Sequence, residues 1–445
     1  MGLLKILKFL KPILRLSLAI KLTAFFVSQT LERFGSSSKA SSGKKKRILV
    51  LNSIRYMNDL EVLSKSQDLE LLFLNIDTHV RINSLSMSKH HDRWEFFKES
   101  DEVIVKDKER LFKYLKVFIP ALARYANIDG ILTCSFYYVQ DQIWDKAAKS
   151  SDVPFFAIYK ENLKYEVRGD YSIELYNERN YKFYGNKLLV FDEKSKSILA
   201  RAKVAKTEDI LVTGMLRIDN IFREVNSELP ILTKKMVTLF SFRHAIGGFL
   251  TVDDSFEVCF SKDGKKGVVN LFDEVHCSIA ELALENPDVV FVIKTKWDGI
   301  WPEKIKDAWS RKLSFDPTTL KNLTMTSEVD AQELIKSSSV VIGLNSTTLL
   351  ESRLYGKETI IPFYSEAKDK YEHEVLFRDF FNDFTIVGSS KELKEEILSK
   401  LEKPSGDKSS LSAEAISRYF GFFDGENLTR VVAAFDDEIR RCRSV

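Results

Sequence analysis

The sequence predicts an α/β protein made of two doubly wound parallel-sheet halves that face a cleft, preceded by an amphipathic helix. Three observations carry this reading. Short apolar runs rich in branched residues alternate with helical patterns, as expected of buried parallel strands joined by crossover helices. The alternation stops once, in a polar stretch around Pro230, and then restarts. The length of 445 residues fits two or three domains of ordinary size.

In the first half the pattern predicts strands at 47–52, 69–76, 102–105, 130–134, 154–159, 188–191 and 209–213, with helices at 109–126, 140–149 and 194–204. Residues 220–235 read as an interdomain linker. The second half has strands at 237–242, 289–295, 323–326, 340–344 and 359–363, and helices at 271–285, 330–338, 346–355 and 391–401. A last helix at 428–441 is long enough to cross back onto the first half. The domains expected are therefore 1–46 (helix and basic linker), 47–220, 236–426 and the C-terminal helix within 427–445.

Composition narrows the function. Hydrophobic residues at 44% and charged residues at 29% fit neither a disordered chain nor a polytopic membrane protein. The four cysteines, Cys134, Cys259, Cys277 and Cys442, form no CxxC pair, which argues against a zinc ribbon or disulfide framework and for a reducing, cytoplasmic setting. The net charge is +3, but residues 1–47 hold eleven Lys and Arg against Glu32 alone, a local +10 that leaves −7 on the rest. A mildly acidic body excludes general nucleic-acid binding, which needs a basic face against phosphates.

Within residues 2–34, basic residues interrupt Leu, Ile and Phe every three or four positions, and Lys5, Lys8, Lys11 and Arg15 share a helical face. Such a helix can rest its apolar side in the headgroup boundary while its basic side meets anionic lipid. A membrane surface is therefore an expected partner, with the protein peripheral at the inner face of the membrane. Pro12 should kink the helix. A transmembrane span is not expected, because the longest candidate, 16–27, is short and contains Lys21. Two alternatives are a cleaved targeting peptide and a helix packed on the protein's own body. Residues 36–46 read as a flexible basic linker, with the folded body starting at about Arg47.

The stretch 339–351 is the most informative. A strand ends in Gly343-Leu344, and Asn345-Ser346-Thr347-Thr348 opens a helix, so backbone amides and hydroxyls gather at one spot. That arrangement suits a phosphate. Ordinary helix capping by Asn345 or Ser346 is the alternative. Arg243 and His244 follow one predicted strand of the same half, and Lys294 and Lys296 follow or end another. In a parallel sheet these loops leave on one edge and could meet the Asn345–Thr348 turn around a diphosphate.

Residues 210–220, the strand ending in Phe242-Arg243, the Lys294 loop, and the Gly343–Glu351 element followed by Gly356, Lys357 and a Pro362 strand occur in the order of a known superfamily. On these segments the chain resembles the GT-B nucleotide-sugar glycosyltransferases, most of all bacterial capsule and surface-polysaccharide transferases and the related CDP-glycerol glycerophosphotransferases. It departs from the glycerophosphotransferases where they have His-Pro after a basic residue and Asp-Tyr-Ser-Ser; here stand Lys294-Thr295-Lys296-Trp297 and Leu344-Asn345-Ser346-Thr347. That favours a sugar donor. Segments 134–142 and 156–162 resemble acceptor-side segments of the same group.

The resemblance implies a GT-B-like pair of Rossmann-type domains, a nucleotide-sugar donor, a glycan or glycolipid acceptor, and no separate cofactor or essential metal. It adds Gly214 and Arg217 to the donor-phosphate set and gives Glu351 a ribose or sugar hydroxyl to hold. The sequence itself contains no HExxH, no clear Asp-x-Asp on a strand-end loop and no His/Cys cluster at ligand spacing. Transfer also needs a base for the acceptor hydroxyl. Glu161, which follows a buried strand and precedes a polar loop, is the first choice, and Asp141 is the second. The expected function is a membrane-peripheral glycosyltransferase acting on a surface polysaccharide or glycolipid. The alternatives are a nucleotide-sugar epimerase, a glycerophosphotransferase, and a non-catalytic module in polysaccharide assembly.

Overall fold

Parallel strands dominate both sheets of the computed structural model, which describes residues 17–34, 45–89, 91, 96–97, 101–227, 235–242, 267–296, 299–402 and 411–444. The chain divides into two units. Unit 1 comprises residues 1–165, 169–220 and 417–445, and unit 2 comprises 166–168 and 221–416.

Unit 1 begins with helix α1 (Ser17–Ser28) and strand β1 (Glu32–Phe34), then β2 (Lys46–Val50), α2 (Met57–Leu63), β3 (Leu69–Phe73), α3 (Ile76–Ser84) and the long α4 (Glu102–Ala126). It continues through β4 (Gly130–Thr133), α5 (Val139–Lys149), β5 (Phe155–Tyr159), α6 (Lys164–Glu178), β6 (Lys187–Val190), α7 (Glu193–Arg201), β7 (Ile210–Val212) and the start of α8 (Ile218–Val225). The sheet order is β1-β3-β2-β4-β5-β6-β7, parallel throughout except for β1 against β3. Every residue of β5 is buried, as an apolar run covered on both faces should be.

Unit 2 holds β8 (Met236–Phe240), α9 (Val269–Glu285), β9 (Val290–Lys294), α10 (Ile300–Lys312), β10 (Leu323–Thr326), α11 (Ala331–Ser337), β11 (Val340–Gly343), α12 (Thr347–Leu354), β12 (Glu358–Pro362), α13 (Glu366–Asp369), β13 (Thr385–Val387) and α14 (Ser390–Glu402). All six strands are parallel, in the order β10-β9-β8-β11-β12-β13. Helix α15 (Ala413–Phe420) leads back to unit 1, where α16 (Asn427–Arg443) ends the chain. The Asp219 carboxylate caps α16, accepting from the amides of Asn427 and Leu428 at 3.2 and 2.8 Å. Phe435 packs its ring 4.4 Å from that of Phe156. Residues of α16 thus pack within unit 1.

Among the parallel strands of each sheet the order reverses once. The reversal lies between β2 and β4 in unit 1 and between β8 and β11 in unit 2, and a crevice for ligands forms at the carboxyl ends of such strands.

Three expectations are corrected. Residues 102–105 are helical, although Glu-Val-Ile-Val looks like a strand. The Asp101 carboxylate caps the turn by accepting from Val103 N at 2.7 Å, and Ile104 joins Leu111, Leu115, Phe118 and Leu122 on one buried face. The expected linker at 220–235 starts inside helix α8, because Ile218 and Ile221 are fully buried. The folded body starts before Arg47: β1 pairs with β3, and Ala19, Ile20, Thr23, Ala24 and Val27 of α1 are buried.

Candidate functional site

In unit 2 the carboxyl ends of three strands lie side by side. Lys294 of β9 is the register partner of Phe240 of β8, and Phe240 is the partner of Gly343 of β11. Ser241, Thr295 and Leu344 therefore leave the sheet on the same edge, at the reversal of strand order. Arg243, His244 and Trp297 lie outside the described residues.

Asn345 has a left-handed backbone (φ 53), which a short polar side chain tolerates. Its Nδ2 donates to Glu374 O at 3.0 Å, and its Oδ1 accepts from Leu376 N at 2.8 Å. Both ends of the amide are thus spent on tying the strand end to the 374–376 segment, so Asn345 shapes the edge. Ser346 is the N-cap of α12; its Oγ accepts from Thr348 N at 3.3 Å and lies 2.8 Å from Thr348 Oγ1. Thr347 and Thr348 are half-buried in the first turn, and Glu351 is buried one turn further on.

The neighbouring helix α9 starts differently. The Glu366 carboxylate accepts from the amides of Asn270 and Leu271, both at 3.0 Å, and from Ser365 Oγ at 3.0 Å. Burial pushes this carboxyl up, but the bonds outweigh it and hold it below its ordinary value. The N-terminus of α9 thus already holds an anion from its own chain, whereas the cap of α12 is a neutral hydroxyl.

Lys294 Nζ donates to the carbonyls of Ser327 and Thr295, the latter at 3.2 Å, and so links the ends of β9 and β10. Lys296 is exposed. Ser241 and His276 are functional candidates that sequence reasoning missed. Ser241 Oγ lies 2.9 Å from His276 Nε2, and His276 Nδ1 lies 2.7 Å from Phe272 O. The signal available in the sequence is a single histidine at helical spacing from Phe272 and Ile279. Beside the ends of β9 and β10 a cavity of about 290 Å³ opens, lined in part by Thr295, Trp309, Met325, Thr326 and Ser327.

Unit 1 places its candidates at the ends of β2, β4 and β5. Asp141 is buried beneath that edge. Its carboxylate accepts from Asn52 Nδ2 on both oxygens at 2.7 Å and from Thr133 Oγ1 at 2.6 Å. Burial pushes Asp141 up to about 7, against the bonds from Thr133 and Asn52 and the charge of Arg55. His79 Nδ1 is 3.8 Å from Asp141 Oδ1, beyond hydrogen-bond reach, and burial pushes the imidazole down to about 3. The enclosed carboxylate positions Asn52, whose backbone is left-handed (φ 54), at the start of the Ser53–Arg55 turn. Glu161 is half-buried just after β5, beside Lys160, whose ammonium donates to Arg55 O.

Gly214 and Arg217 also belong to unit 1. A Cβ on Gly214 (φ 77) would come within 2.1 Å of Asn427 Oδ1, so this glycine admits the start of α16. Arg217 donates its backbone amide to buried Asp59 at 3.3 Å, with the guanidinium 3.8 Å from the same carboxylate. Among the described residues no three His, Cys, Asp or Glu side chains gather as a metal site.

Two parallel-sheet units of Rossmann type in one chain define a GT-B-like fold. Among solved structures the chain is similar to a candidate UDP-N-acetylglucosamine 2-epimerase from Listeria monocytogenes, with 14% identity over 90% of this chain and 98% of that one and a TM-score of 0.51. It is also similar to the UDP-GlcNAc 2-epimerase from Neisseria meningitidis bound to UDP-GlcNAc (13% identity, 88% and 100% coverage, TM-score 0.49). A third is a variant of the wall teichoic acid polymerase TagF (15% identity, 73% and 77% coverage, TM-score 0.41). No family model and no curated protein matches the sequence.

Proposed function

We propose that the protein is a glycosyltransferase that moves a sugar from a nucleotide-sugar donor to a surface polysaccharide or glycolipid acceptor. It would work in the cytoplasm, peripheral at the inner face of the membrane. The observation that carries this reading is the alignment of the β9, β8 and β11 ends beside a helix whose cap, Ser346, is neutral. A departing diphosphate placed there gains the amides of the first turn of α12 and the hydroxyls of Ser346, Thr347 and Thr348, which favour negative charge as it develops. Arg243, His244 and Lys296 would add positive charge, and Glu351 would hold a ribose or sugar hydroxyl. The cavity beside β10, lined by Trp309 and Met325 as well as by Thr295, Thr326 and Ser327, offers room and hydrogen-bonding groups for a nucleobase. Glu161 is the base that would take the acceptor proton.

The second reading is a nucleotide-sugar epimerase, favoured by the candidate epimerase that shares the fold along nearly its whole length. One experiment separates the two. The full chain is incubated with UDP-, GDP-, CDP- and CMP-linked sugars, with and without a membrane glycolipid extract. Nucleotide release that requires the extract supports transfer. Conversion of the donor sugar without it supports epimerisation, and no turnover in either arm contradicts both.

A further inference from the structure

Helix α1 carries two apolar faces. One is built into unit 1: Ala19, Ile20, Thr23, Ala24 and Val27 are buried, α1 packs along α4, and Thr23 Oγ1 turns back onto Ala19 O at 2.9 Å. Strand β1 follows and pairs with β3, with Phe34 stacked on Phe73 at 4.8 Å. The helix is thus fixed to the body on one side.

The opposite side is unlike a soluble surface. Leu18, Leu22, Phe25 and Phe26 are 69%, 46%, 41% and 39% exposed. At roughly 100° per residue these four span about 100° of the helix, and Lys21, also exposed, borders the stripe. Tyr125 of α4, 43% exposed, meets Phe25 edge-on at 5.5 Å and widens the patch. Exposed large apolar residues are ordinary when scattered; five together mark a contact surface.

The charge of the flanking sequence identifies what covers this surface. The sixteen residues before α1 contain Lys5, Lys8, Lys11 and Arg15, no acid, and Leu, Ile or Phe at most other positions. A partner for this region must be apolar and negatively charged at the same level, which is the headgroup boundary of an anionic bilayer. No described helix is long and apolar enough to cross a membrane, and α1 lies along α4 with one face buried, so its exposed face is presented side-on.

We infer that the outward face of α1, together with Tyr125, is an in-plane membrane anchor, while the inward face holds the helix to unit 1. Contact with the bilayer is then transmitted to the folded unit through packed side chains rather than through a tether. The inference rests on the membrane-peripheral reading above and adds the face that makes contact.

The test uses the full chain in co-sedimentation with vesicles of phosphatidylglycerol and phosphatidylcholine, against vesicles of phosphatidylcholine alone. Wild type should sediment with the anionic vesicles, less so in high salt. The double variant Leu22→Ser, Phe26→Ser should bind at least about tenfold more weakly while keeping the wild-type circular dichroism spectrum and a cooperative melt, since both side chains lie on the exposed face of the helix. If the double variant binds like wild type while deletion of residues 1–16 abolishes binding, the peripheral reading stands and the α1 face is overturned. If wild type binds neither vesicle, both are overturned. Self-association that the double variant abolishes, without vesicle binding, overturns the inference in favour of a second copy of the chain.

Discussion

Ser241 Oγ lies 2.9 Å from His276 Nε2 at the end of the central strand of unit 2. The Phe272 carbonyl that faces Nδ1 at 2.7 Å can only accept, so Nδ1 carries a proton, and a neutral ring then accepts the Ser241 proton at Nε2. In that tautomer the Ser241 hydroxyl proton is directed at the ring, and the hydroxyl presents only lone pairs elsewhere. Ser241→Ala should cost about 1 kcal/mol of stability in urea unfolding, because the buried imidazole loses this partner. An unchanged unfolding midpoint would show that the bond is not structural.

Asn345 gives a prediction in which two effects separate. Asn345→Ala loses both amide bonds to Glu374 and Leu376 and puts a Cβ-bearing, apolar residue at φ 53; a loss of about 2–3 kcal/mol is expected. Asn345→Gly keeps the backbone conformation and should lose less. Equal losses in the two variants would contradict the strain argument.

Asp141 predicts a pH dependence of stability. Its folded value, about 7, lies above the ordinary unfolded value of about 3.9, so the folded state holds the proton more tightly. The stabilisation is fully present below about pH 4, is lost as pH rises to about 7, and is constant above that; its size is on the order of a few kcal/mol. Comparing wild type with Asp141→Asn across this window by chemical denaturation should show wild type losing stability toward neutral pH relative to the variant. Parallel curves would refute the shift. His79, depressed to about 3, has the opposite sign: its contribution is present above about pH 6.5 and fades as pH falls. His79→Phe should remove that acid-side loss.

The pattern of strands and helices was legible because most of these strands are buried on both faces and carry continuous apolar runs, as at Phe155–Tyr159. Edge strand β1 was not, since Glu32-Arg33-Phe34 is short and mostly polar. The turn at Gly343–Thr348 was visible as a strand-to-helix junction, yet the commitment of the Asn345 amide to residues 374–376 depends on a fold contact that local pattern does not contain. The same holds for Glu366 reaching Asn270 from 96 positions away. Asp141 was singled out as a carboxylate near a strand end, but the bonds that its buried carboxylate accepts come in part from Asn52, 89 positions earlier in the chain.

Gly214 gives a prediction about packing. Gly214→Ala should destabilise unit 1 strongly, because the new Cβ collides with Asn427 at a backbone angle disfavoured for alanine. Gly214→Ala combined with Asn427→Gly should recover part of the loss in thermal unfolding. No recovery would mean that backbone strain dominates.

The most direct measurement is calorimetric titration of the full chain with UDP, GDP and CDP, repeated on the double variant Ser346→Gly, Thr347→Ala. Glycine retains most of the capping stability, so the variant should stay folded. At least one nucleotide should bind wild type, and its affinity should fall at least about tenfold in the variant, as loss of two hydroxyl contacts to a diphosphate requires. Binding of none of the three to wild type, or equal binding to the variant, would show that the α12 end of unit 2 holds no diphosphate.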